Sequence, residues 1–329
     1  MTNKGRIYWV DNARGVAILL VVLGHVSYMP EAMHKVIYAF HMPLFFILSG
    51  LFLDERIVEI PFIHFLSKKA RSLMVPFFVF GILNVLFFFV LNSFSLSGPK
   101  SFNLAETMMD SLFFVRHSGK WFLCGLFFSQ ILLYLIYKFS WNPLVTTSIL
   151  FVGGGIIILC NLSFPLAIDL SIFLSLYLVI GCLYKQFSPL IKKWNPFVYL
   201  SVLLLFFVPA YLLNEEVDLM NREFGDMLLF LISSLSGSLF VCYLSPKNKN
   251  QILSFLGQNS LTIYAVQSMT LSVTTFIYNH FVSQVLADYS NPMVLTLLGI
   301  IDMAIAVLLC YPIILIVNNY CPWVIGKKK

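Results

Sequence analysis

Charged residues are scarce in this chain. Asp, Glu, Lys and Arg make up 11% of its 329 residues, while 59% are hydrophobic and 33 are phenylalanine. A soluble domain carries about 25% charged residues, so this deficit excludes a globular domain with one anchor and points to a polytopic membrane protein. The six cysteines (Cys124, Cys160, Cys182, Cys242, Cys310 and Cys321) form no Cys-x-x-Cys pair and have no histidine at ligand spacing. Most fall in apolar runs, where a lone thiol is a small buried hydrophobe. Neither a disulfide framework nor a metal site is expected. A phosphate loop is missing as well: Gly153-Gly154-Gly155 follows no strand and precedes no lysine, and reads as close helix packing. The formal charge is +6, yet the cations sit in short connecting segments, a pattern of topology signals and not of a nucleic-acid partner. With no internal repeat, low-complexity tract or soluble stretch, residues 1–329 read as one membrane domain.

What is present is an all-α pattern of apolar segments. Windows of ~19 residues give about ten transmembrane helices, near 10–29, 35–53, 73–96, 121–139, 144–161, 166–184, 196–213, 226–244, 260–281 and 293–318. Lys4 and Arg6 precede the first as in a secretory leader, but no small-residue cleavage pattern follows and Arg14 interrupts the run, so an uncleaved span is expected. With both termini cytoplasmic, the inner segments hold fifteen cations: Lys4, Arg6, Arg56, Lys68, Lys69, Arg71, Lys138, Lys185, Lys192, Lys193, Lys247, Lys249 and Lys327 to Lys329. The outer segments hold five, Lys35, Lys100, Arg116, Lys120 and Arg222. This asymmetry favours an even number of spans. Residues 97–120, with Gly98-Pro99 and then Leu104 to Val115, read either as an outer loop carrying an amphipathic helix on the membrane or as part of an extra span. Residues 214–226 read as an acidic, solvated loop, and 54–72 as an inner loop ending in a basic cluster.

The first segment, Tyr8 to His25, carries Asp11, Arg14 and His25. At 100° per residue Arg14 and His25 lie within about 20° of one another around a helix and about 16 Å apart along it, with Asp11 about 40° to the other side. Ionisable groups inside a bilayer usually face a cavity. Arg14 can also snorkel to the inner headgroups, and an isolated histidine is more often a satisfied core residue. The second segment, Tyr38-Ala-Phe-His41-Met-Pro-Leu-Phe-Phe-Ile-Leu-Ser49-Gly50, places His41 at the outer level of His25. Two histidines at one depth favour a reaction centre, since histidine is the usual general base near neutral pH. Pro43 frees a backbone carbonyl beside His41, and Ser49-Gly50 permits close helix approach. Asp11 is expected to pair with Arg14 at i,i+3. Glu31, in the outer loop, is either an orienting carboxylate for a histidine or plain surface. Tyr264 and Gln267 are expected to face the bundle interior, and Asp302 to need a partner or a wet cavity.

These motifs resemble the acyltransferase-3 family of membrane acyltransferases. The resemblance rests on Trp9-Val-Asp11-Asn-Ala-Arg14-Gly15 with His25 after ten residues, on Phe40-His-Met-Pro-Leu-Phe-Phe-Ile-Leu-Ser-Gly50, and on Lys68-Lys-Ala-Arg71 before Val75-Pro76. Gly119-Lys-Trp121-Phe-Leu and Leu256-Gly-Gln-Asn-Ser-Leu-Thr-Ile-Tyr264 complete it over about residues 8 to 267. The closest branch is the fucose 4-O-acetylase-like one. The resemblance implies a multi-pass enzyme of the cytoplasmic (inner) membrane that takes an acyl group, usually acetyl, from cytoplasmic acetyl-CoA to a hydroxyl of an envelope glycan or lipid-linked sugar. It maps the family's conserved Arg and His onto Arg14 and His25, and its second-helix His onto His41. Gln267 is a departure, because the family often has His there.

On that reading Arg14, Lys68, Lys69 and Arg71 hold the polyanionic end of the coenzyme. His25 acts as general base, or a histidine is transiently acylated; the residues fit both. Trp121 is either a sugar-stacking ring or an interfacial anchor, and Tyr264 and Gln267 are further substrate contacts. The competing functions are a transporter or flippase of a lipid-linked sugar and a non-catalytic partner of a polysaccharide synthase. The Arg14, His25 and His41 set favours the enzyme, since transport has no stated need for it.

Overall fold

A computed structural model describes residues 7–93, 103–115, 119–191, 195–245, 248, 250–282 and 291–327. Lys4, Arg6, Lys100, Arg116, Lys192, Lys193, Lys247, Lys249, Lys328, Lys329 and the Gly98-Pro99 pair lie outside them. The described chain runs α1 (Tyr8–Gly24), α2 (Glu31–Tyr38), α3 (His41–Gly50), α4 (Phe62–Lys69), α5 (Val75–Ser93), α6 (Leu104–Leu112), α7 (Trp121–Lys138) and α8 (Pro143–Leu159). It continues with α9 (Ile168–Ile191), α10 (Pro196–Val202), α11 (Val208–Leu213), α12 (Met227–Leu244), α13 (Gln251–Gln258), α14 (Ser260–Ile277) and α15 (Pro292–Asn319). It is an all-α polytopic membrane protein. All ten predicted segments are occupied by helix. Among the described residues seven stretches are long and apolar enough to cross a membrane: Glu31–Gly50, Phe62–Ser93, Trp121–Lys138, Pro165–Gln186, Pro196–Leu213, Met227–Leu244 and Pro292–Asn319.

Local chemistry sets the helix starts. Asn142, Asn195 and Asn291 each cap a helix through the side-chain oxygen, with proline at the next position. There the missing N–H costs nothing and the fixed φ suits the first turn. Asp226 accepts from both Leu228 N and Leu229 N at 2.9 Å to start α12.

Proline also shapes the interior. The second segment is not one helix: Phe40 (φ −145°, ψ −16°) breaks it and His41 opens α3. The cause is Pro43, whose ring would clash with the carbonyl of Ala39 in a continuous helix. The predicted inner loop at 54–72 differs as well. Beyond a 3-10 turn over Glu55–Glu59 it is helical, and a π turn (Ala70–Met74) carries α4 directly into α5. The basic cluster therefore lies on a helix, and its residues face different ways.

Two close approaches bring the motifs together. A Cβ on Gly257 would lie 1.9 Å from the carbonyl oxygen of Asp11, and one on Gly15 would lie 2.2 Å from that of Leu253. α1 thus meets α13 backbone to backbone. Asn12 ties the joint: its Nδ2 donates to Asn248 O (2.9 Å) and its Oδ1 accepts from Ser254 Oγ (3.1 Å). Asp11 reaches Gln258 (Nε2 to Oδ2, 3.5 Å). Gly257→Val is expected to push α1 off α13 and to cost about 1–3 kcal/mol or more. Thermal unfolding of the purified protein in detergent checks this, and a Tm equal to wild type counts against the contact. On the other side, Gly50 and Gly181 seat α3 against α9, which also packs on α7 and α8.

The loop at 214–226 is folded rather than merely solvated. Asp218 and Glu223 form an antiparallel bridge, Val217, Leu219 and Phe224 are buried, and Asn214 Oδ1 accepts from Asp226 N (2.8 Å). Arg222 reaches the fully buried carboxylate of Asp169 at the start of α9 (Nε to Oδ2, 2.6 Å). The amphipathic α6 expected within 97–120 is present and rests on α5.

Candidate active site

Two features lie along α1. Near Arg14 is a cavity of about 430 Å³, lined by the polar residues Arg14, Lys69, Ser72, Gln130, Ser260 and Tyr264 together with Phe122, Phe45 and Met42. Its walls are mostly apolar, and Gln130 Oε1 has no hydrogen-bond partner among the described residues. Arg14 packs its guanidinium 5.0 Å from the ring centroid of Phe52, and Lys69 its ammonium 5.3 Å from that of Phe65. An aromatic face holds a cation in place without neutralising it. Lys68 and Arg71 are exposed and do not line the cavity. Helical rotation turns one lysine of the predicted basic cluster inward and its neighbours out.

The second feature is the histidine pair. Met42 and Phe45, which line the cavity, lie one and four residues after His41 on α3, a residue that is 3% exposed. His25 ends α1 as its C-cap and is exposed. Each histidine makes the same bond, from Nδ1 to the backbone carbonyl four residues earlier: Val21 O at 2.7 Å for His25 and Ile37 O at 2.8 Å for His41. Since a carbonyl only accepts, Nδ1 carries the hydrogen and Nε2 keeps its lone pair. The structure therefore presents two imidazoles in the form suited to take a proton or attack a carbonyl.

Tyr38 stands between them, its ring centroid 6.0 Å from that of His25 and 4.8 Å from that of His41. His34 stacks on its other face at 3.7 Å, and His34 Nδ1 contacts Glu216 Oε1 at 2.5 Å across 182 residues of sequence. Neither His34 nor Tyr38 was among the sequence candidates. A signal existed, because 34, 38 and 41 follow the i, i+4, i+7 pattern of one helix face. Glu31 is exposed at the start of α2, and no described hydrogen bond links it to a histidine; the carboxylate that meets one is Glu216.

The remaining candidates scatter. Trp121 is buried at the start of α7, edge-on to Phe122, and presents no open ring face as an interfacial anchor would. Tyr264 lines the cavity and Gln267, 3% exposed, lies in the bundle interior, as expected for both. Asp302 is buried in α15 with Oδ2 lacking a hydrogen-bond partner among the described residues. Among the described residues no group of three or more His, Cys, Asp or Glu side chains is placed to hold a metal.

Comparison with known proteins supplies an independent line. A family model described as "Acyltransferase domain" matches residues 7–313. Over 76 residues the chain is 33% identical to nodulation protein NolL of Sinorhizobium fredii, covering 20% of this chain and 21% of that protein. Over 140 residues it is 29% identical to nodulation protein NolL of Mesorhizobium japonicum, covering 40% of this chain and 36% of that one. The matches thus span between a fifth and somewhat over a third of those relatives. No solved structure matches.

Proposed function

The chain belongs to the acyltransferase-3 family, and on that premise we propose that it is an O-acyltransferase moving an acetyl group from cytoplasmic acetyl-CoA to a hydroxyl of a cell-envelope carbohydrate. The enzyme sits in the cytoplasmic membrane with both termini inside and acts as one membrane domain. The observation that carries this reading is the alignment along α1. A cavity lined by two cations, Arg14 and Lys69, is also lined by Met42 and Phe45, which follow His41 on α3, and His25 caps α1 eleven residues after Arg14.

Each residue then has a task. Arg14 and Lys69 hold the phosphate end of the donor, with Arg14 giving the geometry for a paired contact. The apolar walls accept the arm, and Gln130 and Tyr264 offer polar groups along it. His25, with its Nε2 lone pair and exposed ring, removes the proton from the acceptor hydroxyl. His41 sits deeper, next to the cavity, and borders the thioester. The acceptor arrives from the outer side, where His25, Tyr38 and His34 lie.

The test is transfer of labelled acetyl from acetyl-CoA to glycan in membranes with and without the protein. Label on glycan only where the protein is present is the expected result; equal labelling in both removes the proposal. Arg14→Ala and Lys69→Ala are each expected to raise the KM for acetyl-CoA roughly tenfold to a hundredfold, the worth of one charge-assisted hydrogen bond, with a smaller effect on kcat. Lys68→Ala and Arg71→Ala, which face outward, should leave KM near wild type. A KM that ignores Arg14→Ala takes this residue out of the donor site.

A further inference from the structure

Both histidines have already committed their one N–H. A neutral imidazole carries a single ring hydrogen, and for His25 and His41 it is bound to the carbonyls of Val21 and Ile37. Two Nε2 lone pairs remain. They can take a proton but cannot give a hydrogen bond. Acyl transfer also asks for a donor: as an oxygen attacks a thioester, negative charge gathers on the carbonyl oxygen, and a donor held at that point lowers the barrier.

Tyr38 brings a hydroxyl-bearing ring beside the two histidines. Its ring lies beside both histidines, at 6.0 and 4.8 Å, and is clamped from outside by His34 at 3.7 Å. Gly24 makes room for it, since a Cβ there would come within 2.9 Å of Tyr38 Cε2. His34 is itself held by Glu216. The ring is therefore fixed, while no described hydrogen bond uses its hydroxyl. A phenol can donate one hydrogen bond, and this one is open to a ligand.

We infer that Tyr38 is a catalytic residue whose phenol donates a hydrogen bond to the carbonyl oxygen of the donor thioester. This rests on the acyl transfer proposed above. The attacking hydroxyl oxygen forms the new C–O bond while its proton passes to His25 Nε2. The C–S bond then breaks, and the sulfur leaves with the electron pair and recovers that proton, giving an ester and a free thiol. Tyr38 keeps its own proton throughout and stabilises only the charge on the carbonyl oxygen.

Tyr38→Phe deletes the hydroxyl and leaves the ring packing in place. The assay uses the full chain in detergent-permeabilised membranes with their own envelope glycan and labelled acetyl-CoA. The variant is expected to lose about 10²–10³-fold in kcat, with the KM for acetyl-CoA and the Tm at wild-type values. A Tyr38→Phe rate equal to wild type overturns the role of Tyr38 and leaves the acyltransferase standing. A fall in rate accompanied by a lowered Tm or a raised KM assigns Tyr38 to structure and overturns it too. Wild-type membranes that transfer no label overturn both readings at once.

Discussion

His25→Ala is expected to reduce acyl transfer by about 10²–10⁴-fold, the usual contribution of a positioned general base, with little change in the amount of folded protein. The size follows from the local geometry. The Nδ1 bond to Val21 O fixes both the tautomer and the ring orientation, so Nε2 is ready to accept a proton without rearrangement. The tolerance follows from position: His25 is the C-cap of α1 and is exposed, so alanine there leaves no cavity. His25→Gln sharpens the test, because an amide can hydrogen-bond but cannot take up the proton, and it should be as inactive as alanine. The measurement is the initial rate of acetyl transfer normalised to protein in the membrane. Alanine and glutamine variants that keep the wild-type rate would remove His25 from the chemistry.

The second large effect is on stability. Asp169→Ala is expected to cost about 3–5 kcal/mol, the range for removing one partner of a buried ion pair. Asp169 is fully buried and its two oxygens meet Nε and Nη2 of Arg222 at 2.6 and 3.4 Å. Without it the guanidinium is left desolvated with no counter-charge, and the outer loop loses its tie to α9. That loop also carries Glu216, the residue that holds His34, so activity should fall with it. Thermal unfolding and protease nicking within 214–226 report the two consequences. Replacing both partners, Asp169→Leu with Arg222→Leu, should recover most of the stability, because apolar side chains leave no charge unpaired. A single variant with wild-type Tm and protease resistance would show that the pair does not hold the loop.

The fold class was legible because it rests on composition and local periodicity. Long apolar runs with asparagine or aspartate at their start mark helices wherever they fall, and helix lies in each of the ten predicted segments, the second broken at Phe40. The inner loop at 54–72 was misread because its polar residues lowered the hydropathy, although Phe62, Phe65 and Leu66 keep a helical spacing. The site was half legible. Arg14 lies within α1 and His25 caps it, so their expected alignment is arithmetic. Asp11 acts electrostatically on Arg14, as the i,i+3 spacing suggests, while the contacts of Arg14 with Phe52 and of Asp11 with Gln258 join residues far apart in the chain.

The sequence by itself determined that this is a helical membrane protein, that Arg14 and His25 lie on one face, and that its motifs are those of the acyltransferase-3 family. Those properties depend on neighbours within a few turns. Only the tertiary structure decided that Lys69 turns inward while Lys68 and Arg71 do not, that Tyr38 stands between the histidines, and that Glu216 reaches His34 across 182 residues. Apolar helix surfaces are nearly interchangeable by hydropathy, so which face meets which is set by small residues and close contacts summed over the whole bundle, as where Gly257 admits the backbone of α1.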